Sequence, residues 1–594
     1  MVTTNHSAPH TFHIPVLGLC FSIDTPLKVA RYGISSVVSI IEDELMEDMR
    51  AYHSLQNGIP YTPITEKEPD YRAKRITQYL DLLHLLVTQQ ITALQALPFV
   101  PGSDLVKYFE LLPGNAAIKK TFLRMQEHPE GEEKITLQNQ LREAIVAGSI
   151  DVNIMAKVDN ARYAADGTPM PDEYSDALSA LRGFAQSQLA SSVVFSAGYN
   201  PRLYSYAAQF DDFYPNAAQQ LKKKIILKVS DYRSALVQGK ILAKKGLWVS
   251  EFRIESGLNC GGHAFPTEGL LLGPILEEFK NNREALSAEL FALYTEALTA
   301  KGKILLQEQP LQKITAQGGV GTSEEQALLL EYYKLDGVGW GSPFLLVPEA
   351  TNVDDPTLQQ LAHARPEDYF LSNASPLGVP FNNLRTTSSE AQRKTRIVKN
   401  RAGSPCYKKY LSGDTEFTET PICTASRQYL DLKEKQWLQS GKDAATVASE
   451  ISKIQERDCL CEGLTVSVRL KNQMYLPHKL SAVAICPGPN LAYFSGIFSL
   501  KEMVGHIYGQ TNILNALPRP HMFMNELQMY VDYLRKKISE DAAAVSEASN
   551  RYYQKFNANL QKGMAYYRSM IQRINHHSMA EDLHRLELKL ATLL

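Results

Sequence analysis

Lys313-Ile-Thr-Ala-Gln-Gly-Gly-Val-Gly-Thr322, followed by Asp336-Gly-Val-Gly-Trp-Gly-Ser-Pro-Phe344, decides how this chain is read. Each stretch predicts a short strand that ends in glycines. Ser323 to Leu335, between them, predicts one amphipathic helix. A strand–helix–strand unit with bare backbone at both strand ends can hold a phosphate. The amides of Gly318, Gly319 and Gly321 reach one side of it, and those of Gly341 and Ser342 the other. Glycine matters because a Cβ would block the approach and because a positive φ costs it little. In (β/α)8 barrels such a site recurs after strands 7 and 8. A pair of ordinary tight turns in an α/β domain is the plainer alternative.

Toward the N-terminus the same rhythm continues. His13–Phe21 and Ile34–Ile41 predict strands, with a helix opening at Asp24-Thr-Pro26 between them. The rhythm stops over 43–148, a helical insertion placed as a lid over the barrel mouth, and resumes at Ile150–Lys157. Ser192–Ser196, Lys224–Val229 and Leu247–Ile254 follow, so the strand count reaches eight. Helical stretches separate most of the strands, as a parallel sheet requires. The expected fold is α/β: a (β/α)8 TIM barrel from residues 1–42 and 149–375, with the insertion at 43–148. A mainly helical, cysteine-containing extension follows, divided into 376–515 and 516–594. In its last part Tyr553, Phe556, Leu560, Met564, Tyr567, Ile571 and Ile574 recur at spacings of three and four. That seam suits a helix packed on its own protein or a homodimer contact.

Composition bounds the function. The chain has 594 residues, 44% hydrophobic and 21% charged, with a formal net charge of −2. Nothing in that balance draws it to nucleic acid or to a membrane surface. No run approaches the roughly 20 apolar residues of a membrane span. Met1–Thr11 lacks a basic segment followed by an apolar one, so a cytoplasmic location is expected.

Glu255-Ser-Gly-Leu-Asn-Cys-Gly-Gly-His-Ala-Phe265 follows the sixth strand, where a barrel places its catalytic loops. Gly261 and Gly262 let the backbone pass close to a flat ligand while His263 projects over it. Histidine is the side chain poised to exchange protons near neutral pH. A histidine that merely supports the loop is the plainer reading.

The order of these segments resembles the nitronate monooxygenase family and its relatives, the flavin-dependent enoyl-ACP reductases, with the enoyl reductase subunits of polyunsaturated-fatty-acid synthases in the same group. Those proteins are FMN-binding TIM barrels. Pro15–Leu27 is similar to their first strand and helix start, Val152-Asn153 to a "VN" strand and Lys228-Val229 to a "KV" strand. Cys260-Gly-Gly-His263 is similar to their (A/S)GGH loop, and Gln317–Gly321 with Gly341-Ser342 to their phosphate turns. Ser375-Pro-Leu-Gly-Val-Pro380 is similar to an "SPxGxP" segment after the barrel. The resemblance covers about residues 12–42 and 150–380. It implies that His263 is the catalytic acid or base and that Gly18, Asn153 and Lys228 lie against FMN with Gly261 and Gly262. Gly318, Gly319, Gly321, Gly341 and Ser342 then hold the phosphate. A lysine there can stabilise negative charge on reduced flavin. The reaction implied is hydride exchange at flavin N5, with NADH or NADPH as a transient reductant. The substrate is a nitronate, or an enoyl thioester carried by an acyl carrier protein. A phosphate-binding barrel without redox function is the reading from another class. Cys260 departs from the pattern, standing where relatives have Ala or Ser.

Seven cysteines are unevenly spread, five of them between 406 and 486. Cys406, Cys423, Cys459 and Cys461 together can complete the four-thiolate shell of an iron–sulfur cluster or zinc. Their spacing matches no standard ribbon, and four buried free thiols are the alternative.

Overall fold

In the computed structural model, which describes residues 9–164, 166–196, 198–541, 546–574 and 576–593, eight parallel strands close into a barrel. They are β1 (Phe12–Ile14), β2 (Ser35–Ser39), β3 (Ile150–Met155), β4 (Ser192–Ser196), β5 (Lys224–Val229), β6 (Val249–Glu255), β7 (Lys313–Gln317) and β8 (Gly337–Gly339). β8 pairs back onto β1, with His13 opposite Gly339. All eight expected strands form, the first and last shorter than the sequence suggests.

Parallel strands covered on both faces need apolar residues on both. β5 shows how: Ile225 and Leu227 join the core under the outer helices, while Ile226 turns inward to meet Val37 and Val194. Lower in the barrel the interior is polar, with some of its groups paired. Arg253 donates to Glu251, whose carboxylate also accepts from Thr315. The helix between β7 and β8 is less regular than expected. It is α-helical over Ser323–Ala327 and widens to a π-turn over Leu328–Tyr332.

The 43–148 segment folds into five helices, as expected, but none of its residues lines the cavity at the barrel mouth. Its long helix, Tyr71–Ala96, lies in the outer ring beside Asp176–Gln186, and Tyr79 donates to the Ile23 carbonyl. Further along, Tyr108 bonds Val146 near the start of β3. The expected lid is therefore outer-ring packing. Residues after 376 line the cavity instead, among them Phe381, Leu464 and Cys486.

Helices Met522–Asp541, Glu547–Met570 and Met579–Ala591 pack together and onto Leu272–Ala300. The apolar seam is consumed there. Tyr553, Phe556, Leu560, Met564, Tyr567 and Ile574 are buried within this chain, and Tyr567 accepts from Gly273 N–H at 3.1 Å. Among the described residues, no helix is long and apolar enough to cross a membrane.

Candidate active site

A cavity of about 200 Å³ opens at the C-terminal ends of the barrel strands. Gly18, Asn153, Lys228, Gly261, Gly262, His263, Gly318, Gly319, Gly341 and Ser342 all line it. Ten of the eleven flavin-site residues expected from the sequence thus share one space, drawn from the ends of β1, β3, β5, β6, β7 and β8.

Gly321 does not join them. Its N–H donates to Glu325 Oε2 at 2.8 Å, so a carboxylate of the protein occupies the place expected for a phosphate oxygen. Glu325 in turn holds Arg519 and the Met522 N–H. Arg519 also donates to the Gly319 carbonyl. The sequence pattern could not foresee a partner nearly 200 residues away.

The remaining turn residues keep free donors. Among the described residues, the amides of Gly318, Gly319, Val320, Gly341 and Ser342 have no acceptor. All five residues line the cavity. Gly318 and Gly319 have φ of 118° and 80°, which only glycine adopts easily. A Cβ on Gly319 would also meet Asn259 Nδ2 at 1.9 Å.

The loop after β6 is held from several sides. Gly262 N–H donates to the Cys486 carbonyl, and Asn382 Nδ2 donates to the Cys260 carbonyl. Asn259 donates to the Met522 carbonyl and accepts from Asn525. These contacts aim His263 into the cavity, its Nε2 2.7 Å from Ser375 Oγ and its ring edge-on to Phe381. Burial, with Lys157 and Lys228 adding positive charge, pushes its pKa down to about 4. The imidazole is neutral at neutral pH.

Lys228, at the end of β5, pairs with Glu255 Oε2 at 2.7 Å across the β5–β6 ladder. Glu255 Oε1 accepts from Gln317 at 2.5 Å, which fixes the carboxylate. Asn153 is 6% exposed and lines the cavity, and its side-chain amide has no hydrogen-bond partner among the described residues. Glu255, Gln317 and Ser375 were not singled out from sequence. Ser375 did stand in a quoted motif, but nothing in its spacing pointed back to His263.

Cys406, Cys423, Cys459 and Cys461 come into one neighbourhood, yet the expected metal centre finds no support. Among the described residues, no group of three or more His, Cys, Asp or Glu could hold a metal ion. The thiols have other surroundings. Cys406 lies 3.7 Å from the Ser412 hydroxyl, Cys423 is buried, and Cys461 sinks into the apolar core. Cys459 and Cys461 flank the start of a helix, Leu460–Gly463, which separates them.

No protein-family model matches the sequence, and no curated protein matches it. Among solved structures it is similar to FabK from Thermotoga maritima, at 12% identity, over 68% of this chain and 85% of that one, with a TM-score of 0.30. It is also similar to the enoyl reductase domain of MlnA from the macrolactin biosynthesis cluster of Bacillus amyloliquefaciens. There the identity is 14%, over 73% of this chain and 86% of that one, with a TM-score of 0.32.

Proposed function

We propose that the chain is an FMN-dependent oxidoreductase of the nitronate monooxygenase and enoyl reductase type. One observation carries the reading: Gly318–Val320 and Gly341–Ser342, whose amides have no hydrogen-bond acceptor among the described residues, line the same cavity as His263 and Lys228. Backbone N–H groups gathered in this way can bind a phosphate. Their place, after β7 and β8, is where barrels bind phosphate.

FMN, when bound, supplies hydride exchange at N5. The protein's own residues do the rest. Lys228 presents a positive charge to the cavity, where it favours negative charge on a reduced ring. Glu255 and Gln317 fix the direction of that charge. His263, neutral and held by Ser375, gives or takes the proton that accompanies the hydride. Phe381, Leu464 and Cys486 line the same cavity as His263.

The substrate class is a nitronate or an enoyl thioester, since each places a reactive carbon beside a group that carries negative charge. The test is an absorbance spectrum of the purified protein, then anaerobic titration with NADH and NADPH. Flavin bands that bleach with one of them and recover with a 2-enoyl thioester, or that bleach with an alkyl nitronate and recover with dioxygen, are expected. A colourless protein that takes up no added FMN overturns the reading.

A further inference from the structure

The insertion at 43–148 lines no part of the active cavity, but it walls a second one. A cavity of about 640 Å³ opens among the outer helices, within the roughly 300–1,000 Å³ of small-molecule sites. It shares no lining residue with the cavity at the barrel mouth. Helices Asp43–Gln56 and Tyr71–Ala96 supply His53, Gln56, Gln89 and Gln90. Asp24 and Lys28, beside β1, join Asn352, Lys471 and Asn472 in the rest of the wall.

The charges in this wall do not cancel. Asp24 is buried, accepts from Asn352 Nδ2 and lies 3.3 Å from His53 Nε2. Lys28 Nζ pairs with Asp24 at 3.4 Å and donates to Asn352 Oδ1 at 2.6 Å and to the Thr351 carbonyl at 3.1 Å. An ammonium has three donors, so those of Lys28 are spent. Lys471 Nζ donates to the same Thr351 carbonyl at 3.1 Å and, among the described residues, makes no ion pair. Two ammonium groups thus meet on one carbonyl oxygen, with a carboxylate for only one of them. Lys471 keeps donors to spare and an unmatched charge.

Uncharged polar groups are open as well. Gln90 Nε2 donates to the Leu27 carbonyl at 3.0 Å, but its Oε1 is buried without a partner. The side-chain amides of Gln56, Gln89 and Asn472 make no hydrogen bond among the described residues. An amide both donates and accepts, as a hydroxyl does.

We propose that this cavity is a second binding site, for a small polyhydroxylated anion: a sugar phosphate or a sugar acid. Lys471 takes the anionic group, because its charge lacks a partner in the wall. Lys28, on the same carbonyl, adds positive charge at that end. The free amides take hydroxyls, and Gln90 Oε1 accepts a hydroxyl hydrogen, which relieves the cost of a buried acceptor left unpaired. A cationic ligand is disfavoured, since Asp24 is already met by Lys28, Asn352 and His53. No bond is made or broken in this site, and its occupation is independent of the flavin chemistry.

Titration calorimetry on the full chain, loaded with FMN and freed of excess, uses ribose 5-phosphate and gluconate as probes. The bound FMN keeps the sugar phosphate out of the glycine turns of the active cavity. Saturable binding of at least one probe is expected, with a dissociation constant of about 1 mM or tighter for ligands this small. Ribose, which lacks the anionic group, should bind at least about tenfold more weakly than ribose 5-phosphate. Lys471→Met should weaken the bound probe at least about tenfold, and Lys471→Arg, which keeps the charge, by less. Because Lys471 also ties down Thr351, a second variant tests the cavity itself. Ala93→Trp, at an exposed position lining it, fills the space and should also cost at least about tenfold. Saturable binding of neither probe overturns the proposal. So does binding that both Lys471→Met and Ala93→Trp leave unchanged. A chain that takes up no FMN fails the flavin reading, and the same two variants still decide this one.

Discussion

His263 Nε2 lies 2.7 Å from the hydroxyl of Ser375, a residue 112 positions further along the chain. Ser375 is fully buried, and its oxygen also accepts from the Leu377 N–H at 3.2 Å. A hydroxyl that accepts one hydrogen bond is free to donate its own hydrogen. That arrangement favours donation to Nε2 and a ring proton on Nδ1. His263 stands on a barrel loop, but its hydrogen-bond partner comes from the segment that follows the barrel.

His263→Ala is expected to keep FMN and to lower turnover by about 10²–10⁴-fold, the usual worth of general acid–base catalysis. Ser375→Ala should lower turnover less and leave flavin content unchanged. Because burial holds the imidazole near 4, a step that needs it neutral is flat from about pH 6 to 8. The rate then falls as pH drops through about 4. Steady-state kinetics with flavin quantified by absorbance is the check. Full turnover in His263→Ala would reduce the histidine to loop support.

Lys228→Met is expected to weaken FMN binding and to shift the flavin midpoint potential negative. The lost charge is the one that favours the reduced ring, and Glu255 is then left facing the cavity unpaired. Glu255→Gln should move the potential the other way, since it leaves Lys228 uncompensated. Redox titration of both variants decides this. A lysine that serves only as the partner of Glu255 would leave both potentials unchanged.

The barrel was legible because its signals are local. Glycine-ended strands, apolar runs such as Lys224–Val229 and the Gly-Gly-His loop each carry their meaning within ten residues. The cavity residues followed because a closed barrel brings all strand ends to one rim. What stayed hidden depends on contacts across the chain. Glu325, which accepts from Gly321, also holds Arg519 from far along the chain, and Ser375 reaches His263 from the segment whose Phe381 bridges that loop. The cysteines show the opposite error. Clustering in sequence did bring them near one another, but a tetrahedral shell also needs the thiols to point at one centre. Among the described residues no such convergence is found.

Glu325→Ala is expected to cost about 3–5 kcal/mol of stability, as removing one partner of a buried ion pair does. Glu325 is buried and accepts from Arg519, Gly321 N–H and Met522 N–H. The two backbone N–H groups are orphaned together, Arg519 keeps only Asn490 and the Gly319 carbonyl, and the C-terminal helices lose a tie to the end of β7. Denaturant unfolding, followed by fluorescence, measures the loss. A cost below about 1 kcal/mol would mean that water replaces the carboxylate freely, so the tie is not a buried one.

Glu526 offers a test with a pH sign. It lies on Met522–Asp541, fully inside the protein, and accepts from Ser256 Oγ at 2.5 Å and Leu272 N–H at 2.8 Å. Both contacts hold the stretch from β6 into the Leu272–Ala300 helix. Burial pushes its pKa up to about 7 from an ordinary 4.5. The folded state therefore keeps a proton that the unfolded chain releases between those values. The stability this contributes is fully present below about pH 4.5 and is lost as pH rises through about 7. Glu526→Gln cannot ionise, and its amide can donate to Ser256 while its oxygen accepts from Leu272. The variant should match the parent near pH 4.5 and exceed it at about pH 8.5, the gap widening with pH. Denaturation midpoints across that range are the measurement. A variant less stable than the parent at about pH 8.5 would mean that Glu526 is held there as a paired carboxylate.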